Sequence, residues 1–101
     1  MRVIGFLLSV AALGSAAKPL ATLYNDRDYG GDAFPIYESG KCVDLPPLFS
    51  HNLESIKLAP GVKCRAYYVP KCVPVDYYNE FTKNQAFIDN PVWEAVRCYS
   101  S

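Results

Sequence analysis

The chain has 101 residues, with 10 basic and 10 acidic side chains and therefore no formal net charge. This length allows one small domain, and the lack of excess positive charge argues against a nucleic-acid-binding surface. Half of the residues are hydrophobic and only 20% are charged. The composition is therefore that of a folded protein rather than a disordered one.

The first 17 residues have the pattern of a secretory signal peptide. Met1 and Arg2 form a positive start, residues 3–13 form an apolar run, and the small residues 14–17 end it. The apolar run is shorter than the roughly 20 residues that span a bilayer. We therefore expect cleavage after Ala17, an extracellular mature chain of residues 18–101, and no membrane span.

Short β-prone runs, separated by turn signals, fill the rest of the chain. The predicted runs are 21–24, 33–37, 41–45, 55–58, 62–69, 72–75 and 93–99. No segment shows ten or more residues of helical periodicity. The pattern predicts an all-β fold, an antiparallel β-sandwich of two Greek-key motifs. In the last run, Trp93, Ala95 and Arg97 are expected to share one face, opposite Val96 and Cys98.

The four cysteines all lie in the mature part of the chain. An even number of cysteines in a short exported chain predicts two disulfides, and three pairings are possible. A hairpin at Val69-Pro70 would place the two flanking cysteines opposite each other. The preferred pairing is therefore Cys64–Cys72 together with Cys42–Cys98.

Tyr24, Tyr29 and Gly31, followed by Ser55 at the start of a predicted strand, resemble the Greek-key motif of the βγ-crystallins. In that family a first-strand aromatic precedes a folded hairpin. A glycine there adopts a conformation that other residues avoid, and the serine bonds back to the hairpin. The second half matches less well, because it lacks the glycine and has Glu94 in place of the serine. The resemblance implies a single βγ-crystallin-like domain, similar to small secreted microbial proteins, some of them toxin-like.

The resemblance also implies where calcium would bind. Many βγ-crystallins use a stretch Asn/Asp-Asn/Asp-x-x-Ser/Thr-Ser before the fourth strand, and Ca²⁺ prefers oxygen ligands. The first stretch, residues 50–55, matches only at its final serine, although Glu54 adds a carboxylate. In the second stretch, residues 89–94, Trp93 replaces a ligating side chain. We expect at most a weak calcium site and no other cofactor, with candidate ligands Asp26, Glu54, Asp89 and Asn90.

Aromatic residues predict a contact surface. Tyr67-Tyr68 and Tyr77-Tyr78 are adjacent pairs, and neighbours in a strand point to opposite faces. One tyrosine of each pair is therefore expected inside and the other at the surface, where tyrosine suits binding interfaces. The predicted partner is an extracellular protein or a carbohydrate, and the predicted surface comprises Tyr77, Tyr78 and Phe81.

Catalytic constellations are scarce. His51 is the only histidine, and a Ser-His-Asp set with Ser50 and Asp44 is formally available. No glycine-rich elbow surrounds the serine, so a solvated surface histidine is the favoured interpretation. We therefore expect a monomeric, secreted, non-enzymatic protein that is binding or toxin/effector-like. The alternative is a structural extracellular Greek-key domain that binds calcium weakly for stability.

Overall fold

The computed structural model describes residues 18–90 and 92–100, so the predicted signal peptide lies outside the described residues. Within them the chain forms seven strands and no α-helix. Two short 3-10 turns, Arg27–Tyr29 and Pro70–Cys72, interrupt the connections. The strands are β1 (Ala21–Tyr24), β2 (Ala33–Ile36), β3 (Cys42–Asp44), β4 (Ser55–Leu58), β5 (Lys63–Tyr67), β6 (Asn79–Phe81) and β7 (Ala95–Tyr99).

The strands form two antiparallel sheets, and each half of the chain also pairs with the sheet of the other half. One sheet has the order β2-β1-β4 and the other the order β3-β7-β5-β6. Strand β3 leaves the first half to pair with β7 of the second half. In return, Gln85 of the second half exchanges two backbone hydrogen bonds with Ile56 of β4, at 2.9 and 3.0 Å. The predicted all-β sandwich of two Greek keys is confirmed.

The main core lies between the two sheets. Because side chains alternate along a strand, each sheet buries one row, represented by Leu23 and Ile56 on one side and Ala66 and Val96 on the other. A second, smaller cluster lies on the outer face of the four-stranded sheet. It consists of Tyr67, Cys72 and Ala95, with Cys42 and Tyr78 packed against them.

The disulfides join Cys42 to Cys72 and Cys64 to Cys98. The predicted pairing of Cys64 with Cys72 and of Cys42 with Cys98 is wrong. Cys64 and Cys98 are direct cross-strand partners in β5 and β7, with Cα atoms 4.0 Å apart. After β5 the chain forms no tight hairpin at Val69-Pro70, because the antiparallel partner β6 begins only at Asn79. It turns at Pro70–Cys72 onto the outer face of the sheet and reaches β3 instead.

Two further sequence predictions change. The run 72–75 is not a strand but part of a loop that contains a cis peptide bond between Val73 and Pro74. Strand β7 begins only at Ala95, so Trp93 is outside it. Trp93 packs in the main core while Ala95 packs in the outer cluster, so the two residues do not share a face.

Candidate functional site

The motif residues of the first half meet at the connection between β1 and β2. The rings of Tyr24 and Tyr29 form an edge-to-face pair with centroids 5.8 Å apart. Ser55 is fully buried. Its hydroxyl donates to the carbonyl of Asp26 at 2.6 Å and accepts from the amide of Tyr29 at 3.0 Å. This is the bond from fourth strand to hairpin that the resemblance implies.

Gly31 lies where this hairpin turns back. Its φ is +73°, in the left-handed region, and a Cβ atom there would lie 2.3 Å from the Asn25 side-chain oxygen. That oxygen accepts from the amide of Asp32 at 2.7 Å. Both the backbone angle and the close approach therefore require glycine.

Glu94, in the place of the second motif's serine, makes a different connection. One carboxylate oxygen accepts from the Ser50 hydroxyl at 2.9 Å, and the other contacts Nε2 of His51. The His51 amide donates to the carbonyl of Trp93 at 3.0 Å. The carboxylate of Asp44 is not part of this set of contacts, and it accepts from the amide of Lys71 at 2.7 Å. The serine and the histidine thus both bind Glu94, and the set joins two loops rather than forming a nucleophile–base pair.

The calcium-loop residues fit a cation poorly. The ring of Trp93 is buried, 3% exposed, with its centroid 4.6 Å from that of Tyr68, so this position offers no ligand. Within residues 18–90 and 92–100, no three His, Cys, Asp or Glu side chains are grouped to hold a metal ion. The candidate ligands Asp26, Glu54 and Asp89 therefore belong to no such group. In the first loop, the hydroxyl of Ser55 is already bonded to the hairpin.

Exposed apolar side chains are concentrated in residues 68–77, which we call the aromatic loop. Five of the eight large hydrophobic residues that are exposed in the described chain lie there. Val75 is 63% exposed and Tyr77 is 57% exposed. Clustered exposed apolar side chains are typical of an interaction site, and within the loop the rings of Tyr68 and Tyr77 are stacked. The five residues are Tyr68, Val69, Val73, Val75 and Tyr77.

Three aromatic rings form a column that ends in this loop. Trp93 at the base contacts Tyr68, and the ring of Tyr68 stacks on that of Tyr77 with centroids 5.2 Å apart and planes 28° from parallel. Desolvation of its ring, and then the neighbouring Tyr77, raise the pKa of Tyr68 above its ordinary value. Tyr77 therefore offers its exposed ring on a support that reaches into the core.

The loop is also fixed at its ends and in its middle. Cys72 is bonded to Cys42 of β3, and the neighbouring amide of Lys71 donates to Asp44. A turn is closed where the amide of Tyr77 donates to the carbonyl of Pro74 at 3.1 Å. The exposed apolar side chains thus project from an ordered backbone.

The two tyrosine pairs divide into a more buried and an exposed member, although Tyr68, Tyr77 and Tyr78 lie outside the strands. Tyr67 is buried and packs against the half-buried Tyr78, whereas Tyr68 and Tyr77 are exposed. Including Phe81 in the partner surface is wrong, because its side chain is 6% exposed and packs in the main core opposite Cys64. The exposed valines were missed. Their signal in the sequence is an apolar stretch broken by Pro70 and Pro74, which a strand does not tolerate well.

A shallow cleft of about 170 Å³ runs along β2 and β3, lined by residues that include Phe34, Tyr37 and Lys41. Sites for small molecules usually have volumes of about 300–1,000 Å³, so this cleft is small for such a ligand. Among the described residues, no helix has the length and apolar character needed to cross a membrane.

Comparisons with known proteins identify the fold. No protein-family model and no curated protein sequence matches the chain. Among solved structures, it resembles a βγ-crystallin domain from Flavobacterium johnsoniae at 14% identity, over 81% of this chain and 96% of that one, with a TM-score of 0.69. A second resemblance is to the N-terminal domain of protein S, at 20% identity over 79% and 94% of the two chains, with a TM-score of 0.65.

A third is to the βγ-crystallin domain of abundant perithecial protein from Neurospora crassa, solved in the Ca²⁺-bound form. Its identity is 19% over 78% of this chain and 86% of that one, with a TM-score of 0.58. At these identities the similarity establishes the fold alone. The βγ-crystallin-like fold inferred from the motif of the first half is confirmed.

Proposed function

We propose that this βγ-crystallin-like protein is a secreted, non-enzymatic binding protein that engages an extracellular protein or carbohydrate through the aromatic loop. The observation that carries the proposal is the concentration of exposed apolar side chains in residues 68–77. A toxin-like or effector-like role is the form of this function that the resemblance to small secreted microbial proteins suggests.

The chemistry of the loop supports a contact surface. Tyrosine provides a large contact area and a polar hydroxyl, at little cost in side-chain entropy. Within residues 68–77, Lys71 and Asp76 are the charged residues, so the surface is neutral overall. Partner recognition there would rest on apolar area and hydroxyl hydrogen bonds rather than on charge.

The order of the loop supports the same proposal. Binding costs free energy when it immobilises a mobile segment. Here the disulfide to Cys42, the Asp44 bond and the column on Trp93 already hold the loop. The two disulfides also fit an extracellular location, because such bonds persist in oxidising compartments.

The test is a binding screen of the purified, oxidised protein against arrays of glycans and of extracellular proteins. The variant Tyr77→Ser removes the ring at the end of the column, and Tyr37→Ser is its control, because Tyr37 is 53% exposed at another surface. We expect a ligand whose affinity falls at least about tenfold in Tyr77→Ser, as when an aromatic anchor is truncated. Equal affinities in the two variants would contradict the proposal.

Calcium-dependent structural stabilisation is the second candidate. The observation in its favour is that one structure of this fold, from Neurospora crassa, is the Ca²⁺-bound form. Trp93 in the second loop and the contacts of Glu94 with the first loop weigh against it here. Thermal unfolding of the protein with millimolar Ca²⁺ and with chelator tests this candidate. Ca²⁺ at a hundred times its Kd would raise the free energy of unfolding by about 2.7 kcal/mol and the unfolding temperature by several degrees. We expect no change in the unfolding temperature.

A further inference from the structure

Six of the eight tyrosines of the chain are arranged as three pairs of neighbouring rings. The pairs are Tyr24 with Tyr29, Tyr67 with Tyr78, and Tyr68 with Tyr77. Their ring centroids are 5.8, 5.7 and 5.2 Å apart, in that order. The ring planes are 67°, 57° and 28° from parallel in the same order, so of the three pairs only the last is stacked.

The stacked pair is also the most accessible of the three. The side chains of Tyr68 and Tyr77 are 38% and 57% exposed, whereas in the other two pairs every ring is buried or half-buried. Desolvation raises the pKa of Tyr68, and the phenol of Tyr77 raises it further through its charge and through hydrogen bonding. The hydroxyl ends of the two stacked rings are therefore close together, and a reagent in solution can reach them.

We propose that Tyr68 and Tyr77 are a site of oxidative modification, at which a peroxide and a haem peroxidase join the two rings covalently as dityrosine. The modification would staple the aromatic loop a second time, beside its disulfide to Cys42. It goes beyond the binding function proposed above and does not depend on which ligand the loop engages. The oxidising compartment that the two disulfides fit is also the one in which such a reaction would occur.

The stacked geometry suits the bond that has to form. Each phenol loses one electron and one proton, and the resulting phenoxyl radical shares its unpaired electron with the ring carbons next to the oxygen. One of these carbons in each ring bonds to its counterpart, and the hydrogen on each then moves to the oxygen, which restores two phenols. The two electrons and two protons reduce one hydrogen peroxide to two waters. Two such carbons meet face to face when the rings are stacked with their hydroxyls together, and an edge-to-face pair does not bring them together.

The backbone holds the two rings in place for this reaction. Cys72, between the two tyrosines in sequence, is bonded to Cys42, and the amide of Tyr77 donates to the carbonyl of Pro74 at 3.1 Å. Groups that are already oriented react with each other far faster than with groups on separate molecules. We therefore expect the cross-link to form within one molecule, and to form at this pair before any other.

The experiment treats the purified, disulfide-bonded protein with hydrogen peroxide and a haem peroxidase at low protein concentration, with peroxide alone as the blank. The monomer is then isolated, its disulfides are reduced and alkylated, and it is digested with trypsin. Lys71 separates Tyr68 from Tyr77, and Arg27 separates Tyr24 from Tyr29, so a cross-link at either pair joins two peptides. We expect dityrosine fluorescence, and a joined peptide pair from residues 66–71 and 72–83 that is lighter by two hydrogen atoms than the two peptides together.

Variants identify the tyrosines that react. Tyr77→Phe keeps the ring but has no phenol to oxidise, so it should lose the cross-link. Tyr78→Phe changes the next residue of the same peptide and should keep it, as the half-buried Tyr78 packs on Tyr67 instead. Thermal unfolding of both variants confirms that they are folded. Absence of dityrosine, a cross-link only between two molecules, equal cross-linking of Tyr24 with Tyr29, or a cross-link that survives in Tyr77→Phe would overturn the proposal.

Discussion

Replacing Gly31 by alanine tests whether the first hairpin is held as described. Gly31 and Gly40 both have left-handed backbones, with φ of +73° and +79°. Alanine in that region costs about 1–2 kcal/mol. Alanine also restricts the unfolded chain similarly at both sites. The two substitutions therefore differ mainly in what the added Cβ meets.

At Gly31 the Cβ would lie 2.3 Å from Oδ1 of Asn25, whereas at Gly40 nothing lies within 4 Å. Asn25 must move, and it then loses its bonds to the amide and the carboxylate of Asp32, at 2.7 and 3.1 Å. Each such bond contributes about 1 kcal/mol net. We therefore expect Gly31→Ala to lower the free energy of unfolding by about 2 kcal/mol more than Gly40→Ala does.

The assay is urea unfolding of the oxidised protein, followed by the fluorescence of Trp93, the single tryptophan of the chain. Linear extrapolation yields the free energy of unfolding for the parent and both variants. Losses that agree within about 0.5 kcal/mol, or a larger loss at Gly40, would refute the reasoning about the close approach to Asn25.

Three other results are expected. Peptide mapping under non-reducing conditions should recover Cys64 joined to Cys98, and a Cys64 peptide joined elsewhere would contradict the fold. Replacing both cysteines by alanine should lower the free energy of unfolding by about 4 kcal/mol, because this disulfide closes a loop of 34 residues in the unfolded chain. Ser55→Ala should cost about 2 kcal/mol in urea unfolding, because it leaves a backbone amide and a carbonyl unpaired, and Ser50→Ala should cost less than half of that. The raised pKa of Tyr68 means that its contribution to stability is present below about pH 10, the ordinary value. It is lost as pH rises further, so the unfolding temperature should fall there, and less so in Tyr68→Phe.

The strands with strong local signals could be predicted from the sequence. The runs 21–24 and 55–58 coincide with β1 and β4, because turn residues bound them and their side chains alternate. Ser55 was identified from its motif because one hydroxyl has a fixed role in that hairpin. These features depend on contacts close to the motif, which a short sequence pattern records.

The features that depend on strand order could not be predicted. The disulfide pairing follows from β3-β7-β5-β6, in which β3 and β7 are neighbours although they are distant in sequence. Strand β6 has only three residues, too few for alternation to show that Phe81 points inward. The column on Trp93 joins residues of two separate loops, so no local pattern reveals it.

The most direct test of the aromatic loop as a binding surface is the affinity of two charge-introducing variants for the strongest ligand of the array screen. Val75 and Leu48 are both 63% exposed, but only Val75 lies in the loop. We predict that Val75→Asp weakens binding at least about tenfold, because it buries a charge at the contact, and that Leu48→Asp binds like the parent. A screen without any ligand, or an equal loss in the two variants, would contradict the account.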